Sequence, residues 1–176
     1  MNPQETKPFA VCFSGHRPEK LPNGSLLHVL QSLLFQEILN ALHDGARTFY
    51  CGMAQGTDLF AADMVLLLQH EHPEIRLIAV RPFPSHGAKL TGDDRYHYHA
   101  VLRAADSIVT VCPQYQKDAF RKRNAYMVSH SDRLIALMTV PHSGTAMTVR
   151  MAQEKGLEIR QISPACLAQH KPLRRY

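Results

Sequence analysis

No apolar stretch in the 176-residue chain approaches the roughly 20 residues that a membrane-spanning helix needs. The first residues, Met1 to Pro8, are polar and lack the basic segment followed by an apolar one that marks a secretory leader. The reading is therefore a cytoplasmic protein with no membrane partner. Cysteine is sparse and unpaired. Cys12, Cys51, Cys112 and Cys166 stand singly, without the close spacing of zinc ligands or the density of a disulfide scaffold. Three of them sit in apolar runs and are expected to be buried, reduced thiols. The eleven histidines do not make up a metal centre. His70 and His72 would not share a helix face, His97 and His99 fall in or beside a helix, and no cysteine or acid stands at ligand spacing. No metal site is expected. Internal repeats, low-complexity tracts and linkers are absent too, as are the phosphate-binding loop that ends in Gly-Lys-Ser/Thr, Gly-x-Gly-x-x-Gly and Gly-x-Ser-x-Gly.

What remains is an ordinary globular composition with a basic bias. Apolar residues make up 45% of the chain and charged residues 20%, enough for one domain over residues 1–176 with its own core. The core is expected over 9–162, with a basic tail over 163–176. The net charge of +5 and an isoelectric point near 9.2 favour an anionic partner: a nucleotide, a nucleic acid or an acidic surface.

Two periods alternate along the chain. Short runs rich in Val, Ile, Leu, Cys or Phe predict strands at 9–14, 48–51, 76–80, 107–112, 134–138 and 158–162. Between them the spacing predicts helices over 25–43, 57–71, 94–104, 120–130 and 145–155. In the first, Leu26, Leu30, Leu33, Leu34, Ile38 and Leu42 recur every three or four residues before the stop at Asp44-Gly45. This alternation predicts an α/β fold in three layers, a mostly parallel sheet of about six strands with helices on both faces. Such sheets bind ligands beyond the carboxyl ends of their strands. The chemistry should therefore lie at the junctions that follow each run.

Those junctions are polar and specific in residue type. Gly15-His16-Arg17-Pro18 follows the first strand, and Gly52-Met53-Ala54-Gln55-Gly56-Thr57-Asp58 the second. Gly52 and Gly56 allow a tight turn, while Thr57 caps a helix whose first turn carries Asp58. A carboxylate there competes with an anion for the helix dipole. Asp58 is thus either a plain first-turn acid or a hydrogen-bond acceptor for a ribose or base. Arg81-Pro82-Phe83-Pro84 opens a loop of about a dozen residues, Pro82 to Asp93, long enough for a binding or covering role. Arg121-Lys122-Arg123-Asn124 puts cations where a helix start prefers acids, with Arg121 and Asn124 on one face. Ser143-Gly144-Thr145 leads into a helix with no acid before Glu154, so its amides and dipole are free for an anion.

As an ordered set, Ser14-Gly15-His16-Arg17-Pro18, Gly52 to Asp58 followed by Ala61-Ala62, Arg81-Pro82-Phe83, Arg121 to Asn124 and Ser143-Gly144-Thr145 resemble the YpsA and YoqJ branch of the SLOG superfamily. The resemblance spans about residues 9–162 and implies a Rossmann-like domain with a nucleotide pocket at the strand ends. Wider relatives include the LOG-type phosphoribohydrolases and the DNA-processing protein DprA. LOG enzymes carry Pro-Gly-Gly-x-Gly-Thr followed by glutamates. Here Pro141-His142-Ser143-Gly144-Thr145 is followed by Ala146, Met147 and Thr148, so the acid those enzymes use is missing.

The resulting expectation is a sensor or regulatory module that binds a nucleotide or ADP-ribose-like ligand through Gly15, His16, Arg17, Gly52, Gln55, Gly56, Thr57, Asp58, Pro82, Phe83, Arg121, Asn124, Ser143, Gly144 and Thr145. Arg17, Arg121 and the amides near Gly144 would hold phosphate, Asp58 a ribose, and Phe83 the base. The alternatives are a hydrolase of N-glycosidic linkages, with Asp58 as its carboxylate, and a nucleic-acid binder. The last is disfavoured by the want of interleaved aromatic and basic residues. Homo-oligomerisation is left open, and no cofactor beyond such a ligand is expected.

Overall fold

The computed structural model describes residues 9–165. The predicted basic tail from residue 166 onward, Cys166 included, lies outside the described residues. Six strands, β1 (Phe9–Gly15), β2 (Ala46–Cys51), β3 (Arg76–Arg81), β4 (Ser107–Thr110), β5 (Arg133–Leu137) and β6 (Glu158–Ile162), form one sheet in the order β4-β3-β2-β1-β5-β6. Every pairing among them is parallel, not merely most. Five helices connect the strands: α1 (Ser25–His43), α2 (Thr57–Leu68), α3 (Gly92–Ala104), α4 (Ala119–Ser129) and α5 (Gly144–Lys155).

The sheet divides the core in two because side chains alternate along each strand. Val11, Phe13, Phe49, Leu77, Ile135 and Leu137 face one layer, where Leu30, Leu34 and Ile38 of α1 and Leu59, Ala62 and Val65 of α2 close over them. Cys12, Val80, Leu134 and Ala136 face the other, under Met127 and Val128 of α4 and Val149 and Ala152 of α5. Burying each large side chain contributes about 1.5–3 kcal/mol. At the amino ends of the strands Arg133, 4% exposed, pairs with Asp44 at 2.7 Å and Glu158 at 2.6 Å and lies over the Phe9 ring.

Several boundaries shift from the sequence expectation. α2 stops at Leu68, not Glu71: the amides of His70 and Glu71 turn back only three residues, to the Leu67 and Leu68 carbonyls. β4 ends at Thr110, and the Cys112 amide donates instead to the Pro82 carbonyl at 2.9 Å. A 3-10 turn at Pro18–Lys20, which periodicity does not reveal, carries the chain away from β1. Cys12, Cys51 and Cys112 are buried free thiols. No helix among the described residues is long and apolar enough to cross a membrane, and no group of three or more metal-ligating side chains gathers among them.

Strand order reverses between β1 and β5. The chain adds strands outward from β1 to β4, then returns through α4 to place β5 on the other side of β1. At such a reversal the flanking loops diverge to opposite faces and leave a crevice at the carboxyl edge.

Candidate functional site

The crevice is built first by close approach. A Cβ on Gly15 would overlap the Thr57 side chain, so only glycine lets the end of β1 meet the start of α2. Thr57 is fully buried, and its amide and Oγ1 donate to the His16 carbonyl at 3.2 and 3.1 Å. Gly56, at φ +85°, passes within 2.6 Å of that carbonyl if a Cβ is added. Next to it Met53 holds φ 61°, a conformation non-glycine residues seldom take. The Ala54 amide just beyond it is fixed by Asp58 Oδ2 at 3.2 Å.

His16 joins three elements. It is 3% exposed, its Nε2 accepts from the Val140 amide at 3.2 Å, and its Nδ1 lies 3.5 Å from Thr145 Oγ1. Accepting at Nε2 assigns the proton to Nδ1. Burial, with a smaller push from Lys20, holds its pKa below the ordinary value, so the ring is neutral at pH 7. Both nitrogens are occupied in tying β1 to the β5–α5 junction.

Asp58 and Arg123 form a buried pair behind this junction. They are 4% and 6% exposed, with Nη1 3.4 Å from Oδ2, and Nη1 also donates to the Gly52 carbonyl. Burial raises the Asp58 pKa against the pull of Arg123, and burial lowers that of Arg123. Arg123 Nε is buried without a partner among the described residues. Gly52 is required here, since a Cβ would overlap the Arg123 guanidinium and lie 2.7 Å from Asp58 Oδ2.

Two adjoining lobes open at the carboxyl edge of the sheet. The narrower, about 310 Å³, is lined by Gly15, His16, Arg17, Asp58, Arg123, Asn124, Ser143, Gly144 and Thr145 among others. α5 begins in it. Ser143 Oγ accepts from the Ala146 amide at 3.2 Å, and the Gly144 and Thr145 amides are left without intrahelical acceptors. Nothing lies within 4 Å of a Cβ placed on Gly144. The Asn124 amide group donates to Thr148 Oγ1 at 2.9 Å, joining α4 to α5. The wider lobe, about 490 Å³, is walled by Phe83, His86, Tyr115 and Phe120, with Gln55, Ser85 and Lys89 at its margin. Phe83 packs edge-on against Tyr115, Phe120 and His86 at centroid separations of 5.3, 5.8 and 5.8 Å. Arg17, Ala54 and Phe120 belong to both lobes, and the Arg17 guanidinium sits 5.9 Å from the Phe120 ring centre.

Most of the residues singled out in the sequence therefore converge. Gly52, Gly56, Thr57 and Pro82 support the crevice from behind without lining either lobe. Arg121 lines neither: it points outward and pairs with Asp118 at 3.6 Å. Arg123, two residues on, is the cation that faces inward. The sequence pattern marks Arg123 only as part of a basic cluster and gives no site role to it or to His86, Lys89, Tyr115 and Phe120. The length of the 82–93 loop was the signal available for His86 and Lys89, whereas the buried stripe of Ala119, Arg123 and Met127 that turns Arg123 inward shows only in the structure.

Fold and crevice together define a class: an all-parallel, Rossmann-like three-layer α/β fold with its cleft at the reversal of strand order. Within that class a family model described as the YspA SLOG family matches residues 11–167, and the chain belongs to this family. It is 30% identical over 154 residues to a UPF0398 protein of Bacillus velezensis, covering 84% of this chain and 85% of that one. A UPF0398 protein of Halalkalibacterium halodurans is 29% identical over 136 residues, 73% and 72% of the two chains. The uncharacterized SPbeta prophage-derived protein YoqJ of Bacillus subtilis is 28% identical over 141 residues, 73% and 78%. Among solved structures, DNA processing protein A from Helicobacter pylori, described with a single-stranded DNA binding mode, superposes with a TM-score of 0.60 at 18% identity. The match covers 88% of this chain but only 65% of that longer one, and it speaks to the fold.

Proposed function

We propose that the crevice binds a nucleotide or a nucleotide-derived molecule built like ADP-ribose, with base, sugar and phosphate in a row. The observation that carries this reading is the pairing of two chemically different lobes joined at one guanidinium. The narrower lobe offers the unopposed amides of α5, the positive end of its dipole and the Arg17 side chain, a set suited to phosphate. The wider lobe offers aromatic walls to a planar base. Asp58 Oδ2 is held by the Ala54 amide and by Arg123, which keep the carboxylate rigid, and in this reading its other oxygen, Oδ1, accepts from the ribose.

Isothermal titration of the protein with a panel of nucleotides and ADP-ribose tests the reading. Heat from at least one ligand, lost or weakened tenfold or more in Arg17→Ala, is the expected result. No heat from any ligand would sink it. Two further readouts separate the alternatives. Chromatography of the ligand after long incubation would reveal hydrolysis, and turnover abolished by Asp58→Asn would move the protein to the hydrolases. The related fold of a DNA-processing protein, with the net charge of +5, keeps nucleic acid as the second reading. Its mark is an affinity for single strands that falls steeply with salt.

A further inference from the structure

The wider lobe contains a histidine whose proton position the packing decides. His86 Nδ1 lies 3.2 Å from Tyr98 Oη. Tyr98 is 1% exposed, and its hydroxyl has no other hydrogen-bond partner among the described residues. A buried phenolic hydrogen needs an acceptor, and a neutral imidazole supplies one acceptor and one donor. If Nδ1 carried the proton, the Tyr98 hydrogen would be stranded. With Nδ1 bare, Tyr98 donates to it and the imidazole proton sits on Nε2.

The surroundings hold that state in place. The His86 ring is set edge-on to Phe83 and Phe120, each 5.8 Å away, which fixes its plane. Burial, together with Arg123, Arg17 and Arg81, brings the His86 pKa down to about 4, while burial pushes Tyr98 up to about 12, so both are neutral at pH 7. His86 lines the lobe, and its Nε2 has no protein partner among the described residues. Beside it stand the cationic donors Arg17 and Lys89, with Gln55 and Ser85, which can donate or accept, and no Asp or Glu lines this lobe.

We propose that Tyr98 positions His86 as an Nε2–H donor, and that this donor makes the lobe select a base with a carbonyl acceptor, an oxopurine such as hypoxanthine over an aminopurine such as adenine. An exocyclic amino group facing Nε2–H would set donor against donor and leave a desolvated N–H unpaired. The proposal rests on the nucleotide reading above and goes beyond it by naming the base.

The test titrates inosine 5′-monophosphate and adenosine 5′-monophosphate into wild type, His86→Phe, His86→Gln and Tyr98→Phe, and records the imidazole 15N spectrum of each free protein. In wild type the inosine nucleotide should bind about tenfold more tightly, the order expected of one satisfied against one unsatisfied hydrogen bond. His86→Phe should bind the two equally, and His86→Gln, whose amide can turn to donate or to accept, should lose most of the preference as well. The free wild type should show Nε2 protonated and Nδ1 bare, and Tyr98→Phe should show both tautomers. Equal affinities or an adenosine preference in wild type, a preference that survives in His86→Phe, or a protonated Nδ1 in the free protein would each overturn the proposal. Failure of both nucleotides to bind any variant would overturn the nucleotide reading and the base selection with it. The spectrum alone would then decide the tautomer.

Discussion

Arg123 shows how one side chain can organise a crevice from underneath. It is closed off from solvent, it fixes the Gly52 carbonyl and the Asp58 carboxylate together, and no other described cation pairs with Asp58. Replacing it with leucine leaves a buried carboxylate uncompensated, and removal of one partner of such a pair costs on the order of 3–5 kcal/mol. Urea denaturation should show a loss of that size for Arg123→Leu, with part of it recovered when Asp58→Asn is added. A loss below about 1 kcal/mol would mean that the pair carries little of the fold. The two depressed histidines make a second prediction at this scale. His16 and His86 have folded pKa values below the ordinary 6.5, His86 at about 4. Below pH 6.5 the unfolded chain therefore binds more protons than the folded one, and stability present above that pH is lost as the pH falls toward 4. Asp58, whose pKa is raised, acts in the opposite sense. The urea midpoint should drop between pH 7.5 and pH 5, by less in His86→Gln than in wild type.

At the scale of the element, the amino end of α5 is the part of the site most legible in the sequence. Ser143-Gly144-Thr145 with no acid before Glu154 announces both a cap and an unopposed dipole, and the Ser143 side chain does accept from Ala146. Ser143→Ala should destabilise the protein by about 1 kcal/mol, the usual worth of an N-cap, as read from thermal unfolding. α4 was harder to read. Its cations were evident, but deciding which of Arg121, Lys122 and Arg123 turns inward needs to know which stripe of the helix packs against the sheet. With Asp118 as the residue before the first turn, Ala119, Arg123 and Met127 fall on the buried stripe, while Arg121 and Lys122 swing out to Asp118. The 82–93 segment was visible only as length. That His86 and Tyr98 meet across it depends on the return of α3 over the sheet, which local pattern does not encode.

Over the whole molecule, the alternation of periods was enough to expect a parallel sheet with helices on both faces, since every parallel crossover needs a helix. The order β4-β3-β2-β1-β5-β6 was not legible, because which strands pair is set by contacts between residues far apart in sequence. That order decides why residues from the first and the fifth strand exits share a lobe: His16 reaches Val140, 124 positions away, only because β5 returns beside β1. The junction glycines anticipated the convergence without its geometry. Gly144 isolates the consequence. It faces open space in the narrower lobe, so Gly144→Ala should fold as wild type does, while its methyl group stands where an anion would approach the α5 amides.

The most direct measurement is thermal unfolding of wild type and Gly144→Ala, with and without a saturating nucleotide ligand. A ligand at about 100 times its Kd adds about 2.7 kcal/mol of stability, a shift of several degrees. The expected result is equal melting temperatures for the two free proteins, a clear ligand-induced rise in wild type and a small or absent rise in Gly144→Ala. An equal rise in both, or none in wild type across the nucleotide panel, would contradict the assignment of this crevice as a phosphate-binding nucleotide site.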